Sequence, residues 1–328
     1  MKMRAVLLYG REDLREVEVD LPKVGPDDVL IKIKACGVCP TDARKYYTLS
    51  GILPQLPFNL GHEWSGEVVE VGENVTEFKP GMRVVGTEFG GYAEYILMSK
   101  SNARRWWTLT RIPEGVTYEE ATFTEPLADC IHSLVDQARV RIGEWVLIVG
   151  AGQMGLLHVM VAKHIGAKVI ISDVIEERLE YAKKFGVDVI VNPMKDDVKR
   201  IVSDVTKNKG ADAVILTVVN QSTIDQALDS IGKRSRIILF AGVEKGKRFA
   251  IDTNIIHYNE AMIIGSEWVG IDPPNHKLYE LALELIANGV APVKELIAHR
   301  AKFTVEEIKK CFEMIRNLKT LKSVIVFD

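Results

Sequence analysis

The sequence predicts an α/β protein in which a mainly-β domain precedes a doubly wound parallel sheet. Through roughly the first 120 residues, short β-branched runs are broken by Gly and Pro, as in a compact β domain. From about residue 125 onward, apolar strands alternate with helical patterns, which is typical of a parallel sheet covered on both faces. A glycine-rich turn, VGAGQMG, separates one such strand from the helix that follows it.

The β-rich region supplies the first predicted domain, residues 1–124. Its strands are predicted at AVLLY, VLIKIKACGV, GEVVEVG, GMRVVGT and GYAEYILM. The last 60 residues contain two helical patterns, HKLYELALELIANG and TVEEIKKCFEMIRNLK, and a terminal apolar strand, SVIVF. We expect this segment, residues 269–328, to return to the first domain.

The alternating region supplies the second predicted domain, residues 125–268. It opens with a helix at PLADCIHSLVDQARV, because proline is favoured at a first helical position. Glu125 would then precede the helix in extended geometry. Strands and helices follow in turn through EWVLIVG, KVIISDV, ADAVILTVV and RIILFAGV.

Charge and composition exclude several classes of partner. The chain of 328 residues is long enough for two domains, and its net charge of −3 gives no electrostatic reason to expect nucleic acid. No apolar run approaches the roughly 18 residues that span a bilayer, and the N-terminal apolar patch is too short for a signal peptide. We therefore expect a cytoplasmic protein with no membrane partner. The four cysteines are more typical of buried thiols, ligands or nucleophiles than of a disulfide framework.

The glycine-rich turn predicts a dinucleotide site. Gly150, Gly152 and Gly155 form a G-x-G-x-x-G pattern, and Asp173 follows 18 residues after Gly155 at the end of the next predicted strand. The helix N-terminus would face the pyrophosphate, and Asp173 would bind the ribose hydroxyls and repel a 2′-phosphate, so NAD is favoured over NADP. The alternative is an ordinary strand–helix turn with an incidental acid. Further cofactor contacts are expected at Gln153, Met154 and Gly242.

Three separated segments could supply a metal site. Cys39 lies in GVCPTD, His62 in GHEWSG and Glu125 in EPLADC. A catalytic zinc takes three protein ligands of mixed sulfur, nitrogen and oxygen character and keeps one position open, which this set would satisfy. Cys36 completes a C-x-x-C pattern with Cys39, but we expect it to be a buried thiol. Cys130 is a softer donor than Glu125, but on a helix it would point about 140° away from it, so core packing is expected there.

The motifs GVCPTD, GHEWSG, EPLADCIHSL and VGAGQMG, in this order and spacing, resemble the zinc-dependent medium-chain alcohol dehydrogenase family. The EPL segment resembles its sorbitol and threonine dehydrogenase branch. The resemblance covers nearly the whole chain and implies a GroES-like catalytic domain and a Rossmann domain with strand order 3-2-1-4-5-6. It also implies roles for individual residues.

In that resemblance Cys39, His62 and Glu125 match zinc ligands, and Glu63 matches a neighbouring acid that can join the coordination shell. Thr41 matches the hydroxyl residue that takes the substrate proton, and Asp42 the acid that orients the zinc-bound histidine. Arg178 matches an adenosine-side contact.

The sequence departs from the family in two places. The lobe of four closely spaced cysteines that holds a structural zinc in many relatives is missing, since GMRVVGTEFGGYAEY runs straight through. One catalytic zinc per chain is therefore expected. Arg44 stands where many relatives have the histidine that ends the proton relay, and an arginine cannot release a proton near neutrality.

The predicted function is zinc-dependent hydride transfer between NAD and a secondary alcohol, such as a polyol, a sugar or a hydroxy amino acid. Two alternatives remain: a zinc-free quinone-reductase-like enzyme and a non-catalytic NAD-binding protein. The expected partners are a small-molecule alcohol and further copies of the chain in a dimer or tetramer.

Overall fold

The computed structural model of the chain describes residues 1–50, 55–243, 246–267 and 276–328. The chain divides into two compact units. Unit 1 comprises Met1–Glu125 and Gly270–Asp328, and unit 2 comprises Pro126–Val269. The predicted boundary between residues 268 and 269 lies outside the described residues. Each unit has its own cluster of buried apolar side chains.

The secondary structure follows the chain in one order. The strands are β1 (Lys2–Gly10), β2 (Asp13–Asp20), β3 (Asp28–Val38), β4 (Phe58–Asn59), β5 (Glu63–Val71), β6 (Arg83–Gly86), β7 (Tyr95–Ser99), β8 (Thr110–Arg111), β9 (Trp145–Val149), β10 (Lys168–Ser172), β11 (Val189–Val191), β12 (Ala211–Leu216), β13 (Ile231–Leu239), β14 (Met262–Gly265), β15 (Ile297–Lys302) and β16 (Lys322–Val326). The α-helices are α1 (Pro40–Thr48), α2 (Ala103–Trp106), α3 (Tyr118–Ala121), α4 (Thr124–Ile131), α5 (Gln153–Ile165), α6 (Glu176–Ala182), α7 (Val198–Val205), α8 (Gln221–Ser230), α9 (Thr253–Asn259), α10 (His276–Ala287) and α11 (Val305–Arg316). The shorter or wider turns are a π-helix at His132–Gln137 and 3₁₀ turns at Lys183–Phe185 and Val293–Leu296.

Unit 1 is built on two sheets. One has the order β2-β1-β4, and the other has the order β15-β16-β3-β5-β6-β8, with β7 also paired to β3. The two strands β15 and β16 come from the last part of the chain, and β16 pairs antiparallel with β3. The last part of the chain thus contributes two strands to a sheet of unit 1.

Three helices of unit 1 lie where the sequence predicted only strands and turns, and the longest of them is α1. Helix α1 begins after Cys39, whose backbone is extended with φ −89° and ψ 144°. The Cys39 thiol accepts a hydrogen bond from the Thr41 N–H, and the Asp42 carboxylate accepts one from the Cys39 N–H, which together make a capping box. Pro40 follows at the first helical position. A cysteine in the place of Ser or Thr concealed this helix start.

Unit 2 is a parallel six-stranded sheet of the order β11-β10-β9-β12-β13-β14. Counted from its own first strand, this is the order 3-2-1-4-5-6, so the predicted Rossmann fold is confirmed. The strands read as nearly continuous apolar runs because both faces of the sheet are covered. None of the described helices has both the length and the apolar character needed to cross a membrane.

Helix α4 differs from its prediction at both ends. It begins at Thr124 and not at Pro126, so Glu125 lies in the first helical turn and the expected extended geometry is wrong. Proline is tolerated at the third position because N–H groups of the first turn have no partner within the helix. The helix then widens into the π-helix His132–Gln137, which closes with a bond from the Ala138 N–H to the Ser133 carbonyl.

Candidate metal centre and cofactor site

Three potential metal ligands meet in unit 1. One ligand atom each from Cys39, His62 and Glu63 lies within 4.8 Å of the other two, the one such group among the residues that the structure describes. Cys39 is held at the start of α1, whereas Glu63 begins β5 and His62 directly precedes it. A thiol, an imidazole and a carboxylate are the donors that zinc takes in proteins, so this group fits zinc.

A buried carboxylate holds His62 in place. Asp42 is fully buried, and its Oδ1 accepts from the Gly61 N–H at 3.2 Å and lies 3.3 Å from His62 Nδ1. Its Oδ2 accepts from the Tyr92 hydroxyl at 3.3 Å. Burial opposes a charge on His62, but the charges of Asp42 and Cys39 outweigh it and raise the pKa of His62 well above its usual value. Besides this bond to Asp42, the His62 ring makes a hydrogen bond with the Cys39 side chain.

Burial also raises the pKa values of two further groups of the site, the Cys39 thiol and the Glu125 carboxyl. Burial and, after it, the charge of Glu63 raise the pKa of the Cys39 thiol, which a bound metal would counteract because it requires the thiolate. Burial raises the pKa of Glu125 to about 7, against the charge of His62 and with that of Glu63. Glu125 therefore interacts with the metal group, but it does not belong to the set of atoms within 4.8 Å. Its assignment as a ligand stays a prediction.

Glu63 already has a partner. The Lys322 ammonium donates to Glu63 Oε2, and the two side chains are 0% and 3% exposed. Lys322 also lies over the ring of Phe123, with Nζ 5.5 Å from its centroid. This ion pair was not predicted, because Lys322 directly precedes the predicted terminal strand SVIVF and was not considered part of it. The signal in the sequence for a buried ion pair was a lysine at the start of an apolar strand.

Two phenylalanine rings pack in a row beside His62. The ring of Phe89 lies 4.9 Å from that of His62, and Phe58 lies 5.1 Å from Phe89 between ring centroids. Lys45, which is buried in α1, places its ammonium 5.3 Å from the Phe89 centroid.

Thr41 lies in the first turn of the same helix, α1, next to Cys39. Tyr92 and Lys45 are further residues that the sequence pattern did not reveal.

The other cysteines are not among these ligand atoms. Cys36 is buried and donates weakly to the Gly37 carbonyl at 3.6 Å. Cys130 is buried, with its sulfur 3.3 Å from His158 Nδ1. Cys311 is buried in α11. All four cysteines are free thiols.

The glycine-rich turn of unit 2 has the geometry of a dinucleotide site. Gly150 follows β9 with φ +106°, a conformation that favours glycine. A Cβ on Gly155 would overlap the Gly150 carbonyl, so only glycine lets α5 approach the strand. Gly152 caps α5, and the side-chain Nε2 of Gln153 is buried without a hydrogen-bond partner among the described residues. This open turn with a spare donor fits a pyrophosphate.

Asp173 is held against this turn. One of its oxygens accepts from the Ala151 N–H at 2.6 Å, and the other accepts from the Ile175 N–H at 2.8 Å. The Arg178 guanidinium lies 3.6 Å from the position that a Cβ on Gly152 would occupy. Arg178 thus borders the turn, and its contact with the cofactor stays a prediction. Gly242 is exposed and follows β13, and Met154 lies in the first turn of α5.

The fold and these two sites define a class of metal-containing oxidoreductase that uses a dinucleotide. Comparison with known proteins then identifies the family. Residues 25–114 match the alcohol dehydrogenase GroES-like domain, and residues 154–288 match the zinc-binding dehydrogenases. The chain belongs to the zinc-binding dehydrogenase family, and its cofactors are zinc and a nicotinamide dinucleotide. The predictions of family, fold class and oxidoreductase activity are confirmed.

Three relatives illustrate the similarity. L-threonine 3-dehydrogenase of Pyrococcus abyssi is 31% identical over 99% of this chain and 97% of its own. D-arabitol-phosphate dehydrogenase of Enterococcus avium is 29% identical over 96% of this chain and 94% of its own. A zinc-binding dehydrogenase of Sinorhizobium meliloti, solved with NADP, superposes with a TM-score of 0.86 at 27% identity and covers 99% of each chain.

Proposed function

We propose that the protein is a zinc- and NAD-dependent dehydrogenase that oxidises the secondary hydroxyl of a polyol, a sugar or a hydroxy amino acid. The observation that carries this proposal is the group formed by Cys39, His62 and Glu63, whose ligand atoms lie within 4.8 Å of one another. Threonine and arabitol phosphate, which are named in the relatives, belong to this substrate class and support it.

Cys39 and His62 would hold the zinc together with one carboxylate. Glu63 and Glu125 are the candidates for this third ligand. The resemblance assigns the third position to Glu125 and the role of a neighbouring acid to Glu63, whose Oε2 is paired with Lys322. Three protein ligands leave a fourth position open for substrate, as catalytic zinc sites require.

The remaining residues would position the reactants and move the proton. Zinc supplies Lewis acidity toward the substrate oxygen, and NAD supplies the hydride acceptor. Asp42 fixes the orientation of His62 through Nδ1. Thr41, beside Cys39, would accept the proton of the substrate hydroxyl. Phe58 and Phe89 would keep water away from the reacting hydroxyl.

The turn in unit 2 would bind NAD in preference to NADP. Gly150, Gly152 and Gly155 would let the pyrophosphate approach the N-terminus of α5, with the amide of Gln153 as an additional donor. The carboxylate of Asp173 would bind the ribose hydroxyls, and its charge would repel a 2′-phosphate. Met154, Arg178 and Gly242 would supply the remaining contacts.

A substrate screen tests the proposal. Metal-replete protein should form NADH from NAD with at least one member of a panel of polyols, polyol phosphates, sugars and L-threonine, and should contain one zinc per chain by elemental analysis. Oxidation of NADPH by quinones without zinc would favour the quinone-reductase alternative. Tight NAD binding without turnover of any alcohol would favour a non-catalytic protein.

Assembly and location belong to the same proposal. We propose a cytoplasmic homo-oligomer, either a dimer or a tetramer. Its support is that β14 forms one edge of the unit 2 sheet, with Met262 51% exposed, and such an edge offers unpaired backbone groups to a second copy. Light scattering after gel filtration should give a mass two or four times that of the chain, and a monomer at all concentrations would contradict this.

A further inference from the structure

A buried lysine lies beside the metal group and has no role in the reaction proposed above. Lys45 belongs to α1 and is 4% exposed, hardly less than His62 at 8%. The Lys45 ammonium is 5.3 Å from the centroid of the Phe89 ring, and that centroid is 4.9 Å from the centroid of the His62 ring. One aromatic ring thus contacts both the lysine and a predicted zinc ligand. A substrate bound at the metal would therefore come close to this ammonium.

The nearest acid on the same helix serves the metal group. Asp42 lies three residues before Lys45, on the same face of α1. Its carboxylate accepts hydrogen bonds from the Gly61 N–H and from the Tyr92 hydroxyl, and it lies 3.3 Å from His62 Nδ1. The geometry of Asp42 is thus determined by the groups that hold the histidine.

Positive charge accumulates on this turn of α1. Burial lowers the pKa of Lys45, although the charges of Asp42 and, more weakly, Cys39 oppose this, and the charge of Arg44 lowers that pKa further. The surroundings therefore stabilise the charged ammonium less well than water does. The Nε of Arg44 is itself buried and has no hydrogen-bond partner in the part of the chain that the structure describes. An anion placed beside this turn would offset the unfavourable burial of the cation.

We propose that Lys45 is a specificity-determining residue that binds an anionic group of the substrate, a carboxylate or a phosphate, while the substrate hydroxyl lies at the metal. This inference rests on the proposed function and narrows its substrate class to polyol phosphates, sugar phosphates and hydroxy acids. An ammonium is a compact charge with three donors, which suits either anion. Phe89, which contacts both Lys45 and His62, would pack against the short carbon chain that joins the two substrate groups.

Pairs of substrates that differ only in charge test the proposal. Each polyol or sugar is compared with its phosphate ester, and L-threonine and 3-hydroxybutyrate are compared with their methyl esters, by NADH formation. In at least one pair the wild type should have a kcat/KM at least about tenfold higher for the anionic member, because hydrogen bonds to charged groups are the strong ones. The pairs that show this preference identify the anion as phosphate or carboxylate.

The replacement Lys45→Met keeps the length of the side chain and removes its charge. The preference for the anionic member should fall by at least about tenfold, mainly through a higher KM for that member. Lys45→Arg keeps the charge and should keep a preference of the same direction. The matched control is Lys168→Met, which removes an exposed ammonium that also lies 5.3 Å from a ring centroid, that of Trp145. This variant should keep the wild-type preference.

The outcomes separate a specificity role from a structural one. A merely structural Lys45 would affect the anionic and neutral members of a pair alike, so an unchanged preference in Lys45→Met would overturn the proposal. Equal kcat/KM values for the two members of every pair in the wild type would also overturn it, even if Lys45→Met does not fold. A wild type that oxidises no member of any pair would defeat the proposed function instead.

Discussion

The cofactor turn of unit 2 and the metal centre of unit 1 draw on the chain in different ways. The turn takes its residues from one short segment, residues 150–155, and from Asp173. The metal centre combines positions as distant as Glu63 and Lys322, which are 259 residues apart. In the turn, each glycine acts on the backbone next to it. In the metal centre, the side chains come from the start of α1, the start of β5 and the start of β16. The first arrangement depends on local conformation, and the second depends on the completed sheet.

The largest expected effect concerns the metal centre. Cys39→Ser should lose zinc. The activation free energy of alcohol oxidation should then rise by several kcal/mol, which lowers the rate on the order of a thousandfold. Elemental analysis measures the zinc content, and NADH formation measures the rate of alcohol oxidation. The matched control is Cys36→Ala, three residues away, which should keep one zinc and lose only about 1 kcal/mol of stability. Equal zinc loss in both variants would mean that the thiol group acts through packing alone.

The next effect concerns a buried histidine in unit 2. Burial lowers the pKa of His158 to about 4 from an ordinary 6.5, so the unfolded chain binds this proton more readily than the folded one. Stability should therefore fall by about 2–3 kcal/mol as the pH decreases from 6.5 toward 4, and it should be fully present above 6.5.

Urea unfolding at neutral pH and at about pH 4.5 measures this loss. His158 donates from Nδ1 to the Met154 carbonyl at 2.7 Å, and its Nε2 lies 2.8 Å from the Ser133 hydroxyl. His158→Gln should be less stable at neutral pH but less sensitive to acid. His164→Gln, at an exposed position of the same helix, should keep the wild-type pH dependence. Unchanged acid sensitivity in His158→Gln would remove His158 as the cause.

A third prediction asks how far the metal centre depends on residues that do not bind the metal. Asp42→Asn should weaken zinc binding by about 10–100-fold, because it removes the charge that holds His62 Nδ1. Tyr92→Phe removes one neutral donor to the same carboxylate and should cost only about 1 kcal/mol of stability. Zinc affinity by chelator competition measures the difference, and similar losses in both variants would contradict the role of the Asp42 charge.

The smallest expected effect tests the local character of the cofactor turn. Asp173→Ser should lower the ratio of kcat/KM for NAD to that for NADP by about tenfold, since a charged acceptor and a repulsive charge are both lost. Glu176→Gln is the control, because this acid lies three residues further on but pairs with Lys195. An unchanged preference in Asp173→Ser would assign cofactor choice to other residues.

The sequence predicted the cofactor turn more completely than the metal centre, because the residues of the turn lie close together along the chain and those of the metal centre do not. The turn, its glycines and Asp173 were predicted because a strand, a tight turn and a helix leave a contiguous pattern. Cys39 and His62 were predicted by residue type and resemblance. Lys322 was missed, because its burial is determined by pairing between β16 and β3, and no neighbouring residue reveals that pairing. Helix α1 was missed because a thiol replaced the usual hydroxyl cap.

The split of unit 1 along the chain has a consequence for biosynthesis. As the chain leaves the ribosome, β3 emerges early, but β16, which covers one side of it, follows only after the whole of unit 2. Until then the last part of β3, residues 35–38, has an unpaired edge on that side, and such edges favour association between chains. Unit 2 is one continuous segment and can complete its own sheet first. We therefore expect the nascent chain to need protection from aggregation chiefly in its first 125 residues, and expect the metal centre to be the last part of the protein to form.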